Sequence, residues 1–178
     1  MACEFFTIGH SNRTLEDFVE LLRAAEIGLV EDIRKFPMSR SNPQFNKDRL
    51  ADALAASQIA YEHLAALGGR RAKSRDVPPQ VNDFWTNESF HNYADYALSP
   101  PFHAGLEQGR KRRCVIMCAE AVWWQCHRRI VTDHLIAHGE SVVHIVGPGR
   151  LEPAQLTPGA VVRADRTVVY AAAQRSLL

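Results

Sequence analysis

Five consecutive apolar residues, Cys114 to Cys118 (CVIMC), constrain this chain more than any other segment. A strand without a polar side chain on either face has to be covered on both, as happens in a parallel sheet with helices above and below. The rest of the sequence suits that arrangement. Cys3 to Ile8, Leu29 to Ile33, Ile59 to Leu64 and Ser141 to Val146 read as further short strands, with helical periodicity between them.

Thr14 is placed to cap a helix whose apolar face is Leu15, Phe18, Val19, Leu22 and Ala25, with Gly28 as its stop. Asn46 caps a second, with Leu50, Ala53 and Leu54 inward, and Asn87 a third that runs to Leu98. Pro100-Pro101 opens a fourth, to about Gly109, and a fifth spans about His127 to His138 with Gly139 as its stop. Alternating strands and helices connect by right-handed crossovers. The expected fold is therefore a three-layer α/β domain with a mostly parallel central sheet of about five strands and helices on both faces. AVVRA (Ala160 to Ala164) and TVVYAA (Thr167 to Ala172) are expected as short edge strands near the C-terminus.

No repeat, low-complexity tract or linker divides the 178 residues, so a single domain over 1–178 is expected. Formal charge is +1, which leaves no global basic field to announce nucleic acid; local clusters must carry any such claim. No apolar run approaches the roughly 20 residues of a membrane span. The opening residues MACEFFTIGHSN lack the basic and long apolar regions of a secretion signal. Three of the four cysteines, Cys114, Cys118 and Cys126, crowd into one stretch, a layout better suited to reduced thiols or a metal than to a disulfide framework. Cytoplasm is the expected compartment, with no membrane partner.

Ligands of open parallel sheets bind beyond the carboxyl ends of the strands. Those ends carry Gly9-His10-Ser11-Asn12, Asp32 with Arg34, Leu67-Gly68-Gly69-Arg70-Arg71, Cys118-Ala119-Glu120 and Gly147-Pro148-Gly149. The densest segment, Cys118 to Arg129 (CAEAVWWQCHRR), joins the apolar strand to a helix start. Arg128 and Arg129 in a first helical turn oppose the helix dipole, a conflict that a bound anion removes. The alternative is that they point outward and pair with acidic neighbours. Cys118 in an electropositive setting suits a nucleophile, with Glu120 or a histidine carrying protons; inert packing is the alternative, and Cys114 is expected to be core.

Metal binding is the competing chemistry. Cys118, Cys126 and His127, joined by His10 or Asp32, make a plausible ligand set for zinc or iron, although adjacent Cys-His ligands are awkward for one tetrahedral ion. No cofactor is otherwise expected. His10 and His127 are the functional candidates among eight histidines, while packing or surface roles suit His134, His138 and His144. Asp32 and Arg34 either serve the site or form an ion pair. The irregular stretch Gly68 to Thr86 is long for a structureless loop, which suggests function or disorder. Its Arg70, Arg71, Lys73 and Arg75, near Trp85, suit a phosphate or a nucleic-acid backbone. Arg110 to Arg113 read as a solvated helix end. Trp123 and Trp124 are candidates for stacking on a base, with at least one expected to pack instead.

Thr7 to Asn12, Asp32-Ile33-Arg34 through Phe36-Pro37, Ser39 to Asn46, Leu67 to Arg71, Met117 to Glu120 and Cys126-His127-Arg128 together resemble the domain of unknown function 488 family, a bacterial-type α/β domain. They run in order along nearly the whole chain, weakening beyond about Gly147. The resemblance implies a fold and supplies no reaction. Its shared motifs match His10, Asp32, Arg34, Cys118, Glu120, Cys126, His127 and Arg128.

The functional expectation is an enzyme, a hydrolase or transferase using Cys118, Glu120, His10 and Asp32, on an anionic small molecule or nucleotide. Ser11, Asn12, Arg34, Arg70, Arg71, Trp123, Trp124, His127 and Arg128 are its expected ligand-binding residues. The alternative is a non-catalytic module that binds a nucleotide, nucleic acid or metal through the same pocket.

Overall fold

The structure is a computed structural model, and it describes residues 4–109 and 113–172. Cys3 and Arg110 to Arg112 lie outside the described residues. Six strands form the main sheet: β1 (Glu4–Gly9), β2 (Leu29–Asp32), β3 (Ala60–His63), β4 (Cys114–Cys118), β5 (Ser141–Gly147) and β6 (Arg150–Pro153). Their order is β3-β2-β4-β1-β5-β6. The first five are parallel, and β6 returns antiparallel on β5. The expected α/β sheet is present. CVIMC occupies its middle, hydrogen-bonded to β1 on one side and β2 on the other, with all five residues buried.

Among the described residues, five α-helices cover the sheet: α1 (Leu15–Ala24), α2 (Lys47–Ala56), α3 (Glu88–Tyr96), α4 (Pro100–Gly109) and α5 (Arg128–Ala137). Side chains alternate across a strand, so β4 splits between two cores. Val115 and Met117 face α1 and α2, among Phe18, Leu22, Leu50 and Leu54. Cys114, Ile116 and Cys118 face α3, α4 and α5, among Tyr93, Phe102, Leu106 and Ile130. That alternation turns the sulfur of Cys118 toward α5.

Thr14 caps α1 by accepting from the Asp17 amide, and Asn87 caps α3 by accepting from Ser89 and Phe90. Gly139 takes the expected left-handed position after α5, at φ +84°. Gly28 does not stop α1. Glu26 takes the left-handed turn there at φ 53°, and the Ile27 amide closes back on the Leu22 carbonyl. The two C-terminal segments also differ from expectation. Instead of extending the main sheet, β7 (Ala160–Val162) and β8 (Val168–Tyr170) pair with each other in a separate two-stranded sheet. Tyr170 pins it to α5 by donating to Asp133 at 2.7 Å. The edges of the main sheet are β3 and β6 instead.

Candidate active site

Three strand ends converge. After β1 the chain turns sharply: the His10 and Ser11 amides donate to the carbonyls of Cys118 and Ala119 at 2.9 Å, and Ser11 takes φ 50°. Gly9 permits this approach, because a Cβ there would sit inside the Glu120 carbonyl. The loop after β4 is thus laced to β1, directly above the buried strand.

Asp32 and Arg34 form a buried ion pair. The guanidinium donates to Asp32 at 2.9 Å through Nε and 2.6 Å through Nη2, and the Tyr61 hydroxyl donates to the same carboxylate at 2.6 Å. Arg34 also donates to the Phe45 carbonyl at 2.8 Å, and its Nη1 lies 3.3 Å from Nε2 of His10. A guanidinium has only hydrogens to offer. His10 Nε2 is therefore an acceptor, and the ring proton sits on Nδ1, which donates to the Ser11 carbonyl at 2.8 Å. Burial and the neighbouring Arg34 charge keep the His10 pKa below its ordinary value. Asp32 and His10, both sequence candidates for catalysis, thus stand behind Arg34 with their polar atoms engaged.

On the opposite wall, Cys118, Cys126 and His127 meet. Their ligating atoms all lie within 4.8 Å of one another, with His127 Nδ1 3.9 Å from Cys118 Sγ and 3.7 Å from Cys126 Sγ. Adjacency is not an obstacle. Cys126 is extended (φ −128°, ψ 146°) and His127 is helical (φ −58°, ψ −17°), and this change of backbone turns both side chains to one side. His127 Nε2 donates to the Ile33 carbonyl at 3.0 Å, which leaves the Nδ1 lone pair facing the sulfurs. A hydrogen bond from Cys126, with the Arg128 charge behind it, holds the Cys118 thiol well below its ordinary pKa; burial pushes Cys126 well above.

Arg128 is 1% exposed, and its guanidinium folds back on the Glu120 and Ala121 carbonyls at 2.7 and 3.2 Å. Arg129 donates to Thr157 at 3.0 Å and lies over the Trp85 ring. Both arginines are thus held by protein groups, Arg128 by two carbonyls and Arg129 by Thr157 and Trp85. Arg128 braces the loop that carries Glu120 and adds positive charge beneath the two thiols.

Between these walls lies an open cleft of about 840 Å³, lined by Cys118, Glu120, Cys126, His127, Arg34 and Arg70. Lys35, Phe36, Met38 and Arg40, from the loop after β2, and Phe90 and Tyr93 of α3 complete much of it. Sequence reasoning assigned none of these six a role. Lys35 to Arg40 directly follow a strand end, so the rule that selected Arg34 would have reached them one turn further on. Arg70 and Arg71 part company. Arg70 takes φ 55° and faces the cleft, whereas Arg71 donates to Gly68 and Ala65 carbonyls and lies 3.8 Å above the Tyr96 ring.

Other candidates lie apart. Ser11 and Asn12 follow the β1 turn outside the cleft lining. Trp123 stacks on His144 at 4.4 Å, and Trp124 is 49% exposed beside it. Trp85 is buried against Phe90 and Tyr170. His134 is core, packed on Phe102 and His103.

The fold and site define an α/β domain with a cysteine–histidine cluster at the carboxyl edge of its sheet, in one wall of a basic cleft. The chain belongs to the family described as domain of unknown function DUF488, which matches residues 14–135. Nothing matches it among curated proteins or solved structures. No helix among the described residues is long and apolar enough to cross a membrane.

Proposed function

We propose that this chain is an enzyme acting on an anionic ligand, a nucleotide or another phosphate-bearing molecule, held in the cleft between Arg70 and the Cys118–Cys126–His127 cluster. The observation that carries this reading is the charge of the cleft. Arg34, Lys35, Arg40 and Arg70 line it against one carboxylate, Glu120, in a molecule of formal charge +1. Asp32 already neutralises Arg34, so among the described residues Lys35, Arg40 and Arg70 supply the cleft's remaining positive charge. Phe36, 61% exposed at the rim, offers a flat face to a base or ring. The cluster in the cleft wall supplies groups able to attack an electrophile or to activate a water, and Glu120, two residues beyond Cys118 and also lining the cleft, is placed to move a proton.

The test is calorimetric titration with inorganic phosphate and a panel of nucleotides at two salt concentrations, followed by a turnover assay on whatever binds. Binding that weakens with salt and in Arg70→Ala and Arg40→Ala, with turnover lost in Cys118→Ser, is the expected result. Failure of every anion to bind sinks the proposal. Binding without turnover, unchanged in Cys118→Ser, makes the protein a non-catalytic module instead.

A further inference from the structure

We infer that Cys118, Cys126 and His127 bind one divalent zinc-type cation, leaving a fourth coordination position open to the cleft. This rests on the cleft being the reaction site and specifies the group at its centre. A tetrahedral zinc ion with bonds of about 2.3 Å to sulfur and about 2.0 Å to nitrogen has sulfur–nitrogen edges of about 3.5 Å. The two such edges here are 3.9 and 3.7 Å. The two sulfurs lie within 4.8 Å of each other against a tetrahedral edge of about 3.8 Å, so a closure of at most about 1 Å seats an ion.

The surroundings favour a metal as much as the three ligands do. His127 donates its far nitrogen to the Ile33 carbonyl, the arrangement that fixes the tautomer of a metal-binding histidine and presents the near lone pair. Its ring is held in place by Gly69, where a Cβ would stand 2.9 Å from Nδ1, and edge-on by Tyr93 at 4.9 Å. The Arg128 amide donates to Cys126 Sγ at 3.5 Å, orienting the second sulfur. Two thiolates, a neutral imidazole and a divalent ion sum to zero charge, which suits a site where both cysteines are buried. Thiolate ligands select zinc over hard ions such as magnesium. His10 and Asp32 are unsuited to be the fourth ligand, since each is engaged with Arg34. Three protein ligands with an open position are the pattern of catalytic zinc sites. Here that position faces the space where the anion is expected, so a phosphoryl oxygen or a water would complete the shell.

The experiment uses the full chain, reduced and purified without an affinity tag or chelator. Elemental analysis is expected to find about one zinc per chain. Replacing it with cobalt should produce the charge-transfer absorption of thiolate–cobalt bonds. Zinc should raise the melting temperature of the wild-type protein but not of a Cys118→Ser/Cys126→Ser variant. His127→Ala should weaken zinc binding by at least about tenfold, and Cys114→Ala should leave it unchanged. The inference is overturned if folded, reduced wild-type protein takes up neither zinc nor cobalt, or if the double variant binds them equally well. Phosphate titration of the same samples separates the two proposals: anion binding without metal uptake removes only the metal.

Discussion

Arg34 and His10 meet nitrogen to nitrogen at 3.3 Å, and this contact holds only while the imidazole is neutral. The pair ends a chain that runs from the Tyr61 hydroxyl through Asp32 to Arg34 and then to the Ser11 carbonyl. Removing the guanidinium strands a buried carboxylate. Arg34→Leu should therefore lose about 3–5 kcal/mol of stability in urea denaturation. The double change Asp32→Leu/Arg34→Leu should recover much of that loss. Equal destabilisation by both variants would show that packing, not the ion pair, sets the cost.

Arg70 and Arg71 are adjacent and should respond oppositely. Arg71→Ala removes hydrogen bonds to three carbonyls and the contact over Tyr96, and should cost about 1–3 kcal/mol. Arg70→Ala should leave stability within about 0.5 kcal/mol and weaken phosphate binding. Thermal melts and titrations on the two variants decide it, and the assignment fails if the roles reverse.

Two glycines make a similar contrast. At Gly9 an added methyl meets the backbone of Glu120, which cannot yield without parting β1 from the loop after β4. Gly9→Ala should cost more than about 3 kcal/mol. At Gly69 the methyl meets the His127 ring instead, so Gly69→Ala should displace that ring with a smaller loss of stability. Its signature is a changed chemical environment of the His127 ring protons in NMR spectra; unchanged signals would contradict the packing described.

Acid should destabilise this fold well above the pH at which carboxylates titrate. Burial pushes His134 down to about 3, with His103 and His138 as like-charged neighbours. Burial and the Arg128 charge push His144 down to about 4. His144 hydrogen-bonds Thr7, stacks on Trp123 and pairs in register with Glu152. These histidines are neutral in the folded chain and take up a proton near pH 6.5 once it unfolds. Stability is then complete above about pH 6.5 and falls as acid is added, levelling only below the folded values. For His144 the loss between pH 7 and pH 5 is about 2 kcal/mol. Urea midpoints at the two pH values should differ for the wild type and differ less for His144→Gln.

Much of this was legible from residue order, because the strong signals are local. CVIMC has no polar residue to place outside, Thr14 stands one residue before an apolar stripe, and the polar residues gather where strands end. The missed features depend on distant partners. β6 has a half-exposed edge pattern ending in Pro153, which resembles a loop until β5 lies beside it. β7 and β8 pair with each other, and their place beside α5 depends on Tyr170 reaching Asp133, 37 residues away. Within the site, adjacency misled twice. Cys126 and His127 point together because the backbone changes conformation between them, and Arg70 and Arg71 point apart because Arg70 is left-handed. Nor does any local pattern show that Arg128 turns inward to hold carbonyls.

The place of β4 has a consequence for assembly. It lies between β1 and β2 although both precede it in the chain, so a growing polypeptide that ends before Cys114 holds two strands a full strand-width too far apart to bond. The gap is about 10 Å, twice the spacing of paired strands. Closing it requires contacts between residues more than a hundred positions apart, such as Phe6 with Val115, and such long-range pairing is slow. The segment that closes the gap ends in Cys118 and leads directly to Cys126 and His127. Until synthesis has passed Cys118, β2 and β3 can pair but β1 has no strand to join it to them, so a half-made protein holds neither its seam nor its reactive sulfurs.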